Sequence, residues 1–377
     1  MGICEISAAG ASDIDDVASD ACGDVENQPI AEADSADNHQ QANDENSLGT
    51  VHRLDGKNNT FADLKNTFDQ AVDGDTIELN GTFSFSETVN VQKSIKITGC
   101  ADGATINMGL AVGSFTYFNI DSTASKVVLS NLKFTGSTAS AVSWNGDDGL
   151  IENCIFQGNY AQGAGLGGAI NMKANNCNIT GCTFKNNRAY NNGGAVYIEG
   201  ENILISNSKF ESNQVNNNDL TITAGGAVYV EGEYNIIQNS SFLNNYISNT
   251  INSTSLIGGG AVYSNSDGLT VNKSTFKKNN APGLYGGAVS SNEPYTIMNS
   301  LFESNIAFMG NDISGNIYSI VMNNHFILEY DENDTDAIYG INRIYFDENN
   351  FTINKVASSV KFSAGMVLNM PQQVRFM

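Results

Sequence analysis

The chain has 377 residues, with 41 Asp and Glu against 18 Lys and Arg, which gives a formal net charge of −23. This balance excludes a surface built to bind nucleic acids, because such surfaces are basic. Charged residues make up 16% of the chain, which is below the roughly 25% usual for globular domains, so charged helices are not expected.

Residues 1–52 form the first predicted segment, an acidic tail. Twelve of the first fifty residues are Asp or Glu, none is Lys or Arg, and aromatic and β-branched residues are scarce. Such a segment cannot bury enough apolar surface to offset its ordering entropy, so we predict disorder. Ala9-Gly10-Ala11 has the A-x-A form of a signal cleavage site, but the basic start and the apolar run are missing, so a signal remnant is one interpretation.

The second segment, residues 53–75, is predicted to cap the fold. Between Phe61 and Val72 the apolar residues are spaced as on an amphipathic helix. Asp73-Gly74-Asp75-Thr76 then leads into a strand, Ile77-Glu78-Leu79. We expect this helix to cover the open end of the first coil and its exposed edge.

The body, predicted to span residues 76–350, repeats itself from about residue 127. A Gly-Gly-Ala triplet recurs five times, and its second glycine precedes the next repeat phenylalanine by 16 residues in four cases and by 15 in the fifth. The segment from each phenylalanine to the next triplet varies in length instead. A fixed segment beside a variable one is typical of a coiled scaffold with insertions at one corner. The repeat phenylalanines are Phe134, Phe156, Phe184, Phe210, Phe242, Phe276, Phe302 and Phe326.

Columns counted from each phenylalanine predict which side chains face inward. The fifth residue before it is always aliphatic, the next is mostly polar, and the second before it is mostly Cys or Ser, which is strand alternation. Asn recurs three residues before and three residues after the repeat phenylalanines. Because Asn tolerates the left-handed backbone and can hydrogen-bond along a stack, we interpret these positions as corners. The aliphatic column contains Leu129, Ile151, Ile179, Ile205, Ile237, Val271, Ile297 and Val321.

Short strands with corners in a fixed phase predict an all-β fold, a right-handed parallel β-helix of the pectate-lyase-like kind. Each coil lies about 4.8 Å above the last, and no coil can bury its own core alone. We therefore expect the phenylalanine and aliphatic columns to be buried along the axis. Residues 351–377 are predicted to be a C-terminal extension, the opening of a truncated further domain.

The recurring Gly-Gly-Ala-Ile/Val and Phe-x-x-Asn motifs resemble the repeats of chlamydial polymorphic outer-membrane proteins, and with the Asn-rich, acidic style they resemble methanogen adhesin-like proteins. The resemblance covers about residues 53–330. It implies a secreted or cell-surface protein whose corner loops contact glycans, cell-surface polymers or other cells. The chain departs from the chlamydial pattern because it has no C-terminal run of alternating membrane strands.

The alternative to an adhesin-like protein is a polysaccharide hydrolase or lyase, since parallel β-helices host both kinds of enzyme. A further alternative is a passive spacer in the cell envelope. Asp147 and Asp148 are similar to the paired aspartates of polygalacturonase-like hydrolases, but the later Gly-His-Gly and Arg-x-Lys motifs are missing. A lyase would need calcium-binding carboxylates beside an Arg or Lys base on one wall, but the outward columns supply only Glu152, with Lys133 and Lys209 as bases. We therefore predict no catalytic residues and no enzyme.

Two further motifs have ordinary structural interpretations. Residues 163–168 fit G-x-G-x-x-G, but a strand rather than a helix is expected to follow, so we predict a tight corner and no nucleotide. The acidic run 331–336 could offer oxygen ligands to calcium, yet it lacks the turn glycine of an EF-hand, so we favour a solvated loop. No cofactor and no metal are predicted.

Cys154 and Cys182 occupy the same column on successive coils. Their Cα atoms should lie about 4.8 Å apart, within disulfide range, but parallel Cβ vectors keep the Cβ atoms further apart than the ~3.8 Å that a disulfide prefers. We therefore predict two stacked free thiols.

A binding surface is predicted on the strand that follows each Gly-Gly-Ala triplet. Its first valine points inward, so the next residue points outward on three consecutive coils. We expect Tyr197, Tyr229 and Tyr263 to form an exposed aromatic ladder suited to sugar rings. A ladder that only stabilises the sheet is the alternative, because neighbouring aromatics on one face support a sheet whether or not a ligand binds.

Overall fold

The computed structural model describes residues 4–7, 49–109, 117–163, 165–216, 223–248, 257–315, 318–328, 338–340, 345–353, 359–362 and 367–368. These residues wind as a right-handed parallel β-helix of about 10 turns, and one helix precedes the coils. The predicted fold class is thereby confirmed. Three parallel sheets form the walls of the solenoid.

The largest wall, here called the bent sheet, has 22 strands and takes two strands from most coils. Its strands are Val51–Asp55, Thr76–Ser84, Lys96–Asn107, Val128–Ser130, Leu132–Thr135, Leu150–Glu152, Ile155–Gln157, Asn178–Thr180, Thr183–Lys185, Leu204–Ser206, Lys209–Glu211, Ile236–Gln238, Ser241–Leu243, Leu269–Asn272, Thr275–Lys277, Tyr295–Met298, Leu301–Glu303, Ile320–Met322, His325–Leu328, Tyr345–Asp347, Asn350–Ile353 and Val367–Leu368.

The second wall, the tyrosine sheet, has ten strands, and the third, the short sheet, has six. The tyrosine sheet contains Val89–Val91, Phe118–Ile120, Val142–Trp144, Ile170–Met172, Val196–Ile198, Val228–Val230, Val262–Ser264, Val289–Ser291, Ile313–Gly315 and Ile338–Gly340. The short sheet contains Tyr160–Ala161, Arg188–Ala189, Gln214–Val215, Tyr246–Ile247, Asn280–Tyr285 and Ile306–Met309.

The repeat phenylalanines stack along the axis as predicted. Phe184 pairs in register with Phe210, their ring centroids are 4.6 Å apart, and the ring planes differ by 6°. Every repeat phenylalanine and every member of the aliphatic column is buried. This single apolar core fixes the strand register, because a shift by one residue would turn each strand's buried side chains outward.

The Gly-Gly-Ala triplet marks the place where the chain turns into the tyrosine sheet. Gly193 has a φ of +66°, a backbone conformation that glycine adopts without strain. A Cβ atom on Gly194 would lie 2.1 Å from the carbonyl oxygen of Gly226 on the next coil. The first glycine therefore serves the turn, and the second allows close backbone contact.

The two asparagine columns have different structural roles. Asn153, three residues before its phenylalanine, has a φ of +53°, which confirms the predicted left-handed corner. Asn187, three residues after, is instead fully buried, and the left-handed residue there is its neighbour Asn186. The Nδ2 atom of Asn187 donates to Asn213 Oδ1 at 3.0 Å, and this contact recurs from coil to coil. The second column is thus an internal hydrogen-bond ladder.

The helix spans Phe61–Gln70 and lies against the first coils. Thr60 caps its N-terminus through a reciprocal pair of hydrogen bonds with Asp63, as in a capping box. Leu64 and Phe68 are buried, and the Phe68 ring makes an edge contact with Phe118 at 5.5 Å. The helix therefore closes the apolar core at this end.

Structure at the two ends extends beyond the predicted segment boundaries. Cys4–Ser7, within the predicted tail, pairs with Ser359–Phe362 in an antiparallel sheet. Val51–Asp55, which begins in the predicted tail, pairs with the next coil. Backbone hydrogen bonds to a partner strand order both segments. Asn350–Ile353 continues the bent sheet. Residues 8–48, and with them most of the predicted disordered tail, lie outside the described residues, and the domain boundaries stay a prediction.

The cysteine prediction is confirmed. Cys154 and Cys182 are buried and free, on neighbouring coils. The Sγ atom of Cys154 lies 3.3 Å from the carbonyl oxygen of Glu152. Burial raises the pKa of the Cys154 thiol well above its ordinary value, so the thiol stays protonated.

Candidate functional site

The three predicted binding residues form a stacked ladder on the tyrosine sheet. Tyr197, Tyr229 and Tyr263 are paired in register on successive coils. The first two ring centroids are 5.3 Å apart and the next two are 5.1 Å apart. The predicted outward ladder therefore exists.

The predicted exposure of this ladder is wrong. Only 6%, 9% and 2% of the surfaces of Tyr197, Tyr229 and Tyr263 are exposed. The reason is that Leu166 and Ala224, together with Ile257, pack against the rings from the corner segments that precede the triplets. A sugar ring cannot stack on these faces while the segments stay in place, and glycan binding by the ladder stays a prediction.

The hydroxyl ends of the ladder lie among charged groups. The Tyr197 hydroxyl donates a hydrogen bond to the Glu231 carboxylate on the next coil. Burial is the larger cause, and the Glu231 carboxylate the smaller one, that raises the pKa of Tyr197. Burial also raises the pKa of Tyr229 to about 12. The phenols are therefore neutral donors at ordinary pH.

A second candidate, here called the corner pocket, lies on the outer face of the bent sheet. Strand Thr76–Ser84 pairs in register with Lys96–Asn107, except where the register shifts between Leu79 and Gly81. Leu79 is opposite Gly99 and Gly81 is opposite Ala104, so residues 100–103 have no register partners in strand Thr76–Ser84. This bulge forms one wall of a depression of about 490 Å³.

Polar side chains line the corner pocket. Lys133, half-buried, lines the pocket together with Asn80, Asn131 and Asn153. Asn131 and Asn153 have φ values of +54° and +53°, so they mark the corner where the bent sheet turns. Cys100, on the bulge, donates from Sγ to Asn80 Oδ1 at 3.1 Å, and Asn80 Nδ2 donates to Asp55 Oδ2 at 3.3 Å. An ammonium group and several amides in one lining suit a carboxylate and neighbouring hydroxyls.

Of the three lyase candidates named from the sequence, the pocket contains one. Lys209 occupies the same outward column as Lys133, three coils further along, which is roughly 14 Å away. Glu152 precedes Asn153 but does not line the pocket. The sequence missed the asparagines and the bulge, although the extra residues between Gly99 and Ala104 break the strand pattern there.

The two aspartates at 147 and 148 form a turn. Asp147 Oδ1 accepts a hydrogen bond from the backbone nitrogen of Asn175 at 2.8 Å, and Asp148 has a φ of +59°. The glycine run that ends at Gly168 leads into strand Ile170–Met172, so it is also a corner. Neither motif contributes to the lining of the corner pocket.

The described ranges contain neither a metal-binding cluster nor a membrane-spanning helix. Within the described ranges, no group of three or more His, Cys, Asp or Glu side chains could hold a metal ion. The acidic run 331–336 lies outside those ranges. No helix of the described chain has both the length and the apolar character that a membrane crossing requires.

Comparisons with known proteins agree on the fold. A family model described as a right handed beta helix region matches residues 116–302. A mannuronic acid specific polysaccharide family 6 lyase from human gut microbiota aligns over 87% of this chain and 80% of its own, with 14% identity and a TM-score of 0.53. A search among curated proteins finds no sequence match.

Two further solved structures share the topology more loosely. An alginate lyase from Paenibacillus sp. str. FPU-7 covers 84% of this chain and 99% of its own, with 14% identity and a TM-score of 0.47. The tailspike protein of E. coli bacteriophage HK620, solved with a pentasaccharide, aligns over 82% of this chain and 62% of its own, with 14% identity and a TM-score of 0.41.

The prediction that this chain is not an enzyme is corrected by these comparisons. A polysaccharide lyase uses the same fold over most of both chains. The missing hydrolase motifs therefore gave no ground for excluding catalysis, since this scaffold also carries elimination chemistry. The family model supports a β-helix protein and does not single out the adhesin-like or chlamydial repeats.

Proposed function

We propose that this protein processes an acidic polysaccharide and that the corner pocket binds one of its uronic acid units. The observation that carries the proposal is that Lys133 lines the corner pocket together with Asn80, Asn131 and Asn153. The ammonium group would neutralise the sugar carboxylate, and the amides would hydrogen-bond to it and to the ring hydroxyls.

Elimination suits this lining better than hydrolysis. A glycoside hydrolase needs two carboxyl groups that flank the bond, and the described lining contains no Asp or Glu. A lyase needs a base for the proton beside the sugar carboxylate, and donors that stabilise the negative charge which then develops on that carboxylate. Asn131, Asn153 and the Lys133 ammonium group would supply the donors, and a water molecule in the open pocket would take the proton.

The elimination balances without a redox partner. The base takes the proton from the carbon next to the carboxylate, and those electrons form a carbon–carbon double bond. The bond from the neighbouring carbon to the glycosidic oxygen breaks, and the leaving oxygen takes up a proton, which the Lys133 ammonium group can donate before solvent reprotonates it. The neighbouring lyase structure supports the proposal, because it shows that the fold accommodates this type of reaction.

An adhesin-like role is the second proposal. Corner segments of variable length pack against the tyrosine ladder through Leu166 and Ile257, which holds them at one edge of the solenoid. A secreted or cell-surface protein could present such segments to glycans or other cells. Polysaccharide as the partner supports an extracellular location in either case.

The test combines cleavage with a matched pair of variants. The wild type, Lys133→Ala and Lys209→Ala would be incubated with alginate, polygalacturonate and neutral glucans. Ultraviolet absorbance would follow unsaturated products, and affinity gels would follow binding. We expect activity on a uronate polymer that Lys133→Ala abolishes and Lys209→Ala retains, because Lys209 shares the column but lies outside the pocket. A wild type that neither cleaves nor binds a uronate polymer would refute the proposal.

A further inference from the structure

A second exposed surface lies at the corner between the tyrosine sheet and the bent sheet. The strand residues Ile236, Thr270, Thr296 and Ile320 are paired in register on consecutive coils. The residues two positions before them therefore stack at the corner: Tyr234, Gly268, Pro294 and Tyr318. We call this set the corner saddle. Its two tyrosines are separated by three coil steps, or roughly 14 Å along the axis.

Both tyrosines of the saddle are directed to solvent. Each is 58% exposed, which makes them the two most exposed tyrosines of the described chain. The Tyr234 ring lies against Gly268, where a Cβ atom would come within 2.9 Å of Tyr234 Cδ1. The small residue therefore lets the ring lie flat over the neighbouring coil.

The backbone at these positions is unfavourable for tyrosine. Tyr234 has a φ of +56° and Tyr318 a φ of +62°. The same column on earlier coils holds Lys126, Asp148, Asn176 and Asn202, all with positive φ, and Asp and Asn tolerate this conformation best. A bulky residue with positive φ is a genuine outlier, and such strain concentrates at ligand-binding sites. A structural role alone would be better served by Asn or Gly.

The saddle has the shape of a binding groove. A depression of about 230 Å³ is lined by Gly268, Pro294 and Tyr318, and Tyr234 lies on the coil before Gly268. The roughly 14 Å between the two tyrosines exceeds a single sugar ring, so the saddle fits a chain of linked rings. Aromatic faces pack against the C–H face of a pyranose, while sugar hydroxyls need hydrogen-bond acceptors nearby.

Carboxylates border the saddle on one side. Glu233, Asp267 and Glu293 immediately precede three of the saddle residues, and all three are exposed. Carboxylates accept hydrogen bonds from sugar hydroxyls and repel polyanions. The saddle is thus matched to an uncharged glycan, whereas the corner pocket with Lys133 is matched to a carboxylate.

We infer that the corner saddle is a separate binding site for a neutral oligosaccharide chain, with Tyr234 and Tyr318 stacking on sugar rings and Asp267 accepting hydroxyl hydrogen bonds. This site does not depend on the proposed lyase chemistry. It lies on later coils than the corner pocket, which is bounded by residues 80–155. It would hold the protein on a neutral polymer independently of cleavage.

The experiment uses the full chain with cello-, manno-, xylo- and malto-oligosaccharides, and with oligoalginate as the anionic counterpart. Binding would be measured by calorimetry for the wild type, Tyr234→Gly and the double variant Tyr234→Gly/Tyr318→Gly. Tyr246→Ala is the matched control, because Tyr246 is a 37% exposed tyrosine on the short sheet. Lys133→Ala tests independence from the pocket.

We expect one neutral series to bind, with affinity falling about tenfold or more in the double variant, as for an aromatic anchor of an interface. The glycine variants should unfold at the same or a higher temperature, because glycine relieves the positive-φ strain, so lost binding cannot reflect misfolding. Tyr246→Ala and Lys133→Ala should bind normally.

Three outcomes would overturn the inference. The wild type could bind no neutral series, or the double variant could bind as tightly as the wild type. Sedimentation could also show that the tyrosines hold two copies of the chain together, with a dimer that becomes a monomer in the double variant. A wild type that binds a neutral series but neither cleaves nor binds a uronate polymer would refute the pocket proposal and leave the saddle intact.

Discussion

The hydroxyl of Tyr197 donates a hydrogen bond to the carboxylate of Glu231, which belongs to the next coil. The two side chains face outward from the tyrosine sheet, yet Tyr197 is almost completely buried. The corner segments therefore cover the aromatic rings, and Glu231 satisfies the hydrogen-bonding need of one phenol. The tyrosine ladder is a small secondary core that fixes the corner segments.

Replacing all three ladder tyrosines with Ser should destabilise the protein. The change removes buried rings from contact with Leu166, Ala224 and Ile257, and leaves a cavity. We expect a clearly lower denaturant midpoint and faster proteolysis at the corner segments. Undiminished stability, together with lost retention on cell-wall or mucin glycans, would instead support the original binding prediction.

Alkaline pH should weaken the fold. Burial raises the pKa of Tyr229 to about 12 in the folded chain, whereas an unfolded tyrosine ionises near about 10. Between these values the unfolded chain has released a proton that the folded chain keeps, so stability is intact below about pH 10 and falls as the pH rises towards about 12. Urea titrations across this range should show the loss. A Tyr229→Phe variant should show a smaller loss than the wild type.

Phe210→Ala should cost about 3–5 kcal/mol of unfolding free energy, because the ring is fully buried between Phe184 and Phe242. The control is Lys209→Ala on the same strand, where an exposed side chain should matter by less than about 0.5 kcal/mol. Denaturant unfolding measures both. Equal effects of the two changes would contradict the buried column.

Asn213→Ala should cost about 1–3 kcal/mol, because it breaks the buried ladder and leaves donors of Asn187 without a partner. The same replacement at Asn202, whose side chain lies in an exposed corner column, should cost less. Thermal unfolding of the two variants provides the comparison. A larger loss for Asn202→Ala would show that the buried ladder does not stabilise the coils.

The fold was predictable because the repeat carries its own register. Phenylalanines at a fixed distance from each Gly-Gly-Ala triplet must lie over one another in a solenoid, and the structure stacks them at about 5 Å. Left-handed asparagines before six of the eight repeat phenylalanines were also predictable, since few other residues adopt that conformation without strain. Local chemistry and tertiary structure agree at these positions.

The site was less predictable because burial on the outer face depends on non-repeating segments. Alternation placed Tyr229 outward correctly, but it could not indicate that Ala224 and Ile257 fold back over the ring. The corner pocket likewise depends on a bulge after Gly99 that interrupts the register. Insertions have no partner in the repeat, so their packing must be read from the structure.

The most direct test of the central claim is a crystal structure of the wild-type protein, with the crystals soaked in uronate oligosaccharides. We expect a uronate carboxylate against the Lys133 ammonium group, with Asn131 and Asn153 within hydrogen-bonding distance. An empty corner pocket, with oligosaccharide bound elsewhere on the chain or nowhere, would contradict the account.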